Sequence, residues 1–92
     1  MGDMPSEKIV EKYLVQRCKE LNLHTVKVPA TSTGFPDRLV IGSNITLYIE
    51  VKGDGGRLSA AQKLWLARLR EKNHYALTVW NKEDVDNALA II

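Results

Sequence analysis

The chain has 92 residues, of which 45% are hydrophobic and 26% are charged, and its net charge is +2 at pH 7. This composition is that of an ordinary globular protein, and the length suits one domain spanning residues 1–92. No apolar run approaches the length of about 20 residues that a membrane span needs, and the first residues do not form a signal peptide. The single cysteine, Cys18, excludes an internal disulfide, so we expect a cytoplasmic protein.

Hydrophobic periodicity and turn residues predict seven elements in the order α-β-β-β-α-β-α. A mixed sheet flanked by helices, of the α/β class, follows from this order. The predicted helices begin at residues 6, 59 and 81 and the predicted strands cover residues 24–28, 38–41, 45–51 and 75–80.

Each predicted helix starts with a capping residue and carries an apolar stripe. Ser6 and Asn81 are good N-caps, and Ser59 with Gln62 matches the capping box S-x-x-Q. The helical residues predicted to be buried are Val10, Tyr13, Leu14, Cys18, Leu21, Leu58, Trp65, Leu66, Leu69, Val85, Ala88, Leu89 and Ile92.

The second and third strands are predicted to form a β-hairpin. Residues 38–41 and 45–51 are rich in strand formers and flank a short turn. If Ser43 and Asn44 form a two-residue loop, Asp37 lies directly opposite Glu50, whereas a register shift of one residue separates them. Directly opposed side chains have Cβ atoms roughly 4.5–5.5 Å apart.

Asp37 and Glu50, here called the acidic pair, carry the main functional hypothesis. Two carboxylates so close repel each other unless a cation lies between them, and Mg²⁺ binds carboxylate oxygens together with water and substrate phosphate. Lys52 emerges on the same face of the strand as Glu50. The alternative is a solvated strand face with an ordinary cross-strand charge pair. Both faces of the hairpin are apolar, which favours a covered strand pair and a functional use of its charges.

Other residues give weaker signals. Glu11 borders the buried stripe of the first helix and could lean towards the acidic pair, or it could be a surface residue paired with a lysine. Ser32 belongs to a small polar loop that could hold a phosphate or serve only as a connector. Three basic residues are candidates for contacts with a nucleic-acid backbone: Arg38, Arg57 and Lys63.

Taken together, Gly34-Phe35-Pro36-Asp37, Glu50-Val51-Lys52 and Leu58-Ser59-x-x-Gln62 resemble the motifs of the PD-(D/E)XK nuclease superfamily. More narrowly, the chain resembles the VRR-NUC family, the virus-type replication–repair nuclease domain. The resemblance covers nearly the whole chain and implies the restriction-endonuclease-like α-β-β-β-α-β-α core.

The resemblance also implies roles for residues of the hairpin. Asp37 and Glu50 would be metal ligands, the carbonyl group of Val51 a further ligand, and Lys52 the catalytic lysine. Each of these residues stands at the matching position of the family motif.

Two helical residues receive roles by the same resemblance. A helix-one glutamate would complete the catalytic, metal-binding site, and Glu11 is preferred for it over Glu7. Gln62 matches the helix-two glutamine of the catalytic site, and its contact with DNA, with water or with only the helix cap stays open.

The function implied is metal-dependent hydrolysis of DNA phosphodiester bonds, with Mg²⁺ or Mn²⁺ as cofactor. Short stand-alone members of the family, found in phages and mobile elements, resemble Holliday-junction resolvases and act as homodimers. Since the sequence supplies no base-reading element, cutting selected by DNA structure is expected. The alternatives are a non-catalytic DNA-binding module on the nuclease fold and a sequence-specific duplex endonuclease.

Overall fold

The computed structural model describes residues 5–30 and 33–92, which form three helices and one four-stranded sheet. The predicted element order is confirmed. The elements are α1 (Glu7–Glu20), β1 (His24–Lys27), β2 (Arg38–Ile41), β3 (Thr46–Val51), α2 (Ala60–Glu71), β4 (Tyr75–Val79) and α3 (Lys82–Leu89). In the part of the chain described, no helix is both long and apolar enough to cross a membrane.

The predicted N-caps are present at all three helices. The hydroxyl of Ser6 accepts a hydrogen bond from the Ile9 amide, and the side chain of Asn81 accepts one from the Asp84 amide. Ser59 and Gln62 form a complete capping box. These bonds satisfy amides of the first turns that have no partner within the helix, so each helix begins where its capping residue stands.

The sheet has the strand order β1-β2-β3-β4. The pairs β1–β2 and β2–β3 are antiparallel and β3–β4 is parallel, so the sheet is mixed as predicted. Arg38 pairs with Ile49 and Ile41 pairs with Thr46. This is the register predicted for a two-residue loop, and one further step along it places Asp37 opposite Glu50.

One face of the sheet packs against α1 and α3 and forms the core. The side chains of Val40, Leu47 and Ile49 on this face are fully buried. Helix residues complete the same cluster: Val10, Leu14, Cys18, Val85, Ala88 and Leu89. We call this side of the sheet the core face.

The opposite side of the sheet carries Tyr48 and Glu50, and α2 lies against it, packed on β4. Because a single helix is only about 10–12 Å wide, this cover does not extend across the four strands to the β1 edge. Val26 is 48% exposed and Ile41 is 37% exposed, so the expectation that both faces of the hairpin are covered holds only in part. We call this side the α2 face.

Some predicted core positions are wrong, and they lie at the ends of helices. Leu21, the C-cap of α1, is 45% exposed, and Ile92, beyond the end of α3, is 38% exposed. On α2 only Leu66 is fully buried, at 2% exposure, because a helix lying on one side of a partly open sheet buries a narrow stripe.

Candidate active site

The loop before β2 is fixed against the first turn of α2. Gly34 has φ of 85°, and a Cβ at this position would lie 2.5 Å from the Ala61 carbonyl carbon, so only glycine allows this approach. Asp37 follows at the start of β2, and its Oδ2 accepts a hydrogen bond of 2.9 Å from the Val51 amide. The carboxylate is thereby held at the end of β3.

Glu50 is a buried carboxylate, with 2% exposure. Its Oε2 accepts a hydrogen bond of 3.2 Å from Gln62, whereas its Oε1 is buried without a hydrogen-bond partner among residues 5–30 and 33–92. The pKa of Glu50 is raised from 4.5 to about 8, first by burial and then by the neighbouring carboxylate of Asp37. The positive charge of Lys52 acts against this rise of the pKa.

The start of α1 docks on the turn that follows Lys52. A Cβ on Gly53 would overlap the Glu7 amide nitrogen and lie 2.6 Å from the Ser6 carbonyl carbon. The Asp54 amide donates a hydrogen bond of 2.9 Å to the Pro5 carbonyl oxygen. The close approach brings the first turn of α1 to the end of β3 that carries the acidic pair.

The two candidate glutamates of α1, Glu7 and Glu11, have different surroundings. Glu11 accepts a hydrogen bond of 2.8 Å from Arg38 and lies 3.7 Å from the Lys27 ammonium group. Arg38 pairs with Ile49 on the core face, so Glu11 lies on the other side of the sheet from Glu50. The structure therefore does not bring Glu11 to the acidic pair, because α1 crosses the core face. The negative charge of Glu7 is the smallest of the causes that raise the pKa of Glu50, whereas Glu11 is not among them.

The comparisons with known proteins identify the family and the fold of the chain. The model of the VRR-NUC domain family matches residues 3–81. The chain belongs to the VRR-NUC family. A solved structure described as a "VRR_NUC domain" is similar with a TM-score of 0.82 and 26% identity, over 91% of this chain and 94% of that chain.

A second solved structure, described as a "VRR_NUC domain protein", shares the fold with a TM-score of 0.79 at 19% identity, over 96% of this chain and 88% of that chain. No curated protein matches the chain. VRR-NUC domains are nucleases of the PD-(D/E)XK superfamily, so the chain is a nuclease domain with DNA as its substrate.

The superfamily generally uses divalent metals, and the donors of this VRR-NUC site fit such an ion. Within residues 5–30 and 33–92, no three His, Cys, Asp or Glu side chains form a metal-binding group. Mg²⁺ nevertheless needs only one or two carboxylates, because water and substrate phosphate complete its shell. Asp37 and Glu50 supply two carboxylates, and the buried Oε1 of Glu50 is an acceptor that a hard cation would satisfy.

The remaining predicted site residues have different positions in this VRR-NUC domain. Arg38 is paired with Glu11, and its side chain is 14% exposed. Arg57 and Lys63 are exposed near the start of α2. Ser32 lies outside the described residues, and Val51 contributes its amide to Asp37.

Sequence reasoning missed the role of two glycines. Gly34 and Gly53 let α2 and α1 approach the residues next to Asp37 and Lys52. Their positions in the sequence could have indicated this role, because Gly34 stands three residues before Asp37 and Gly53 directly follows Lys52.

Proposed function

We propose that this nuclease domain is a Mg²⁺- or Mn²⁺-dependent endodeoxyribonuclease, selective for branched DNA such as four-way junctions and active as a homodimer. The observation that carries the metal dependence is Glu50, a buried carboxylate beside Asp37 whose Oε1 receives no hydrogen bond from the described residues. An ionised acceptor in this state is costly without a cation.

The roles of the residues follow from their surroundings. Asp37 and Glu50 would hold the metal, with the Val51 carbonyl as a further ligand, and Glu7 rather than Glu11 would be the helix-one carboxylate near the site. A bound divalent metal polarises the scissile phosphate and lowers the pKa of water. The Val51 amide orients Asp37 by its hydrogen bond.

Lys52 supplies the positive charge of the proposed mechanism. Its positive charge lowers the pKa of Glu50, which supports a position of the ammonium group near the acidic pair. In hydrolysis, the oxygen of water bonds to phosphorus while the ester P–O bond breaks. A lysine ammonium is a compact charge that orients the attacking water and offsets the negative charge that develops on the phosphate.

The junction selectivity rests on the small size of the domain and on symmetry. The connections between the seven elements have at most ten residues each, which leaves little length for a recognition loop inserted within the core. A two-fold dimer presents two sites of opposed polarity at a fixed separation, which suits paired cuts in a four-way junction. A domain of this size also gains burial by dimerisation.

The test is cleavage of a labelled four-way junction with Mg²⁺ or Mn²⁺, beside linear duplex and single-stranded DNA. We expect paired nicks in the junction alone, and a loss of about 100-fold or more in Asp37→Ala and Lys52→Ala. The matched controls, Asp54→Ala and Lys72→Ala, remove exposed charges and should cut like the wild type.

Each other outcome has a defined meaning. Equal cutting of all three DNAs contradicts the junction selectivity, and a monomer in sedimentation at micromolar concentration contradicts the dimer. A folded protein that cuts no DNA with either metal favours the non-catalytic binding module.

Two further variants in the same assay distinguish the roles of the two candidate glutamates of α1, Glu7 and Glu11. Glu7→Gln should lower cutting without a change in stability, because Glu7 is exposed. Glu11→Gln should lower the free energy of unfolding by about 1–3 kcal/mol, since it weakens the pairing of the nearly buried Arg38, and should cut normally once folded. Lost cutting in Glu11→Gln together with normal cutting in Glu7→Gln would show that Glu11, and not Glu7, serves the active site.

A further inference from the structure

The side-chain amide of Gln62 is shared between the cap of α2 and the acidic pair. Its Oε1 accepts a hydrogen bond of 2.8 Å from the Ser59 amide, and its Nε2 donates one of 3.2 Å to Oε2 of Glu50. A backbone amide can only donate, so the amide oxygen of Gln62 must face Ser59. The amino group of Gln62 must then face Glu50.

This arrangement leaves the two oxygens of Glu50 in different states. Oε2 is held by Gln62, whereas Oε1 is buried and receives no hydrogen bond from any described residue. A carboxylate held at one oxygen loses rotational freedom at its terminal bond and presents the other oxygen in a fixed direction. Hydrogen bonds to metal ligands act in this way, and their loss weakens metal affinity.

The first turn of α2 supports both acids of the pair. Ala61 lies against Gly34, in the loop that leads to Asp37, and the next residue along the helix is Gln62. The same turn therefore fixes the loop before β2 and the carboxylate on β3.

We infer that Gln62 is a positioning residue, through which the capping box of α2 orients Glu50 and presents Oε1 to the metal. The inference rests on the proposed function, because it assumes that Glu50 is a metal ligand. It assigns Gln62 no contact with DNA or with the attacking water.

The capping box offers a matched pair of variants. Gln62→Met is close in size and removes the bond to Glu50 together with one half of the box. Ser59→Ala removes the other half, which is the hydrogen bond from the backbone amide of Gln62 to the Ser59 hydroxyl. The backbone amide of residue 59 remains, so it still holds the side chain of Gln62. Both variants should lower Tm by a similar few degrees.

Mn²⁺ binding, measured by calorimetry on the protein without DNA, distinguishes the two variants. We expect Gln62→Met to lose about 10-fold or more in Mn²⁺ affinity and Ser59→Ala to keep the wild-type affinity. In cleavage assays, Gln62→Met should need a higher Mn²⁺ concentration for half-maximal rate and should recover most of its kcat at saturating Mn²⁺.

Wild-type Mn²⁺ affinity in Gln62→Met, or an equal loss in both variants, overturns the inference and leaves the proposed function standing. Mn²⁺ binding that Glu50→Gln does not weaken overturns the metal site of the proposed function itself.

Discussion

At the scale of single residues, burial and the neighbouring Asp37 raise the pKa of Glu50 from 4.5 to about 8. Between these two values the folded, metal-free protein holds a proton on Glu50 that the unfolded chain releases. The folded state binds more protons in this range, so the free energy of unfolding falls as pH rises from about 4.5 to about 8. We expect Tm in EDTA to fall by several degrees over this range.

The variant Glu50→Gln carries no titrating group at this position, so its Tm should change much less over the same pH range. Glu71→Gln, an exposed position on α2, should follow the wild type and serves as the control. Parallel curves for Glu50→Gln and the wild type would contradict the raised pKa of Glu50.

The residues of the hairpin could be predicted from the sequence, and the helix glutamate could not. A two-residue loop determines the strand register, and the register alone places Asp37 opposite Glu50. Glu11 borders the buried stripe of α1, but no local pattern tells which face of the sheet the helix will cross. The structure decides this through the pair between Glu11 and Arg38.

At the scale of elements, the contact between α1 and the turn after β3 depends on Gly53. In Gly53→Ala the new methyl group meets backbone atoms of Ser6 and Glu7, which cannot move without shifting the helix. We expect the free energy of unfolding to fall by about 1–3 kcal/mol. Cleavage should fall as well, because the first turn of α1 moves away from the acidic pair.

Gly55→Ala is the matched control for this prediction. Gly55 has φ of 81° but open space around its Cβ position, so alanine there costs about 1 kcal/mol of backbone strain without displacing α1. Tm and the cleavage rate, measured for both variants, separate the two effects. Normal cutting by folded Gly53→Ala would show that the docking of α1 does not serve the site.

The helix boundaries were predictable because Ser6, Ser59 and Asn81 act locally, on amides within three residues of themselves. The extent of burial at helix ends was not predictable. Leu21 fits the helical period of the buried stripe, yet it is the C-cap of α1 and is 45% exposed, and only the three-dimensional packing contains this information.

At the scale of the whole molecule, the net charge of +2 is too small to attract DNA by itself, so attraction depends on where the basic residues lie. Arg57 and Lys63 are exposed and lie on either side of Ser59, the N-cap of α2. This first turn of α2 also contacts the residues of the acidic pair. Each phosphate contact contributes about 0.9 to the slope of log affinity against log salt concentration. The double variant Arg57→Ala/Lys63→Ala should therefore reduce this slope by about 2.

The affinity for a four-way junction is measured in EDTA, so that cutting does not interfere. The control, Lys19→Ala/Lys72→Ala, removes the same charge from the C-terminal ends of α1 and α2, the ends away from the acidic pair. Its net charge equals that of the test variant, so a non-specific effect of charge lowers both slopes equally. A reduced slope in Arg57→Ala/Lys63→Ala alone means that the DNA backbone passes the start of α2, within reach of Glu50 and Lys52.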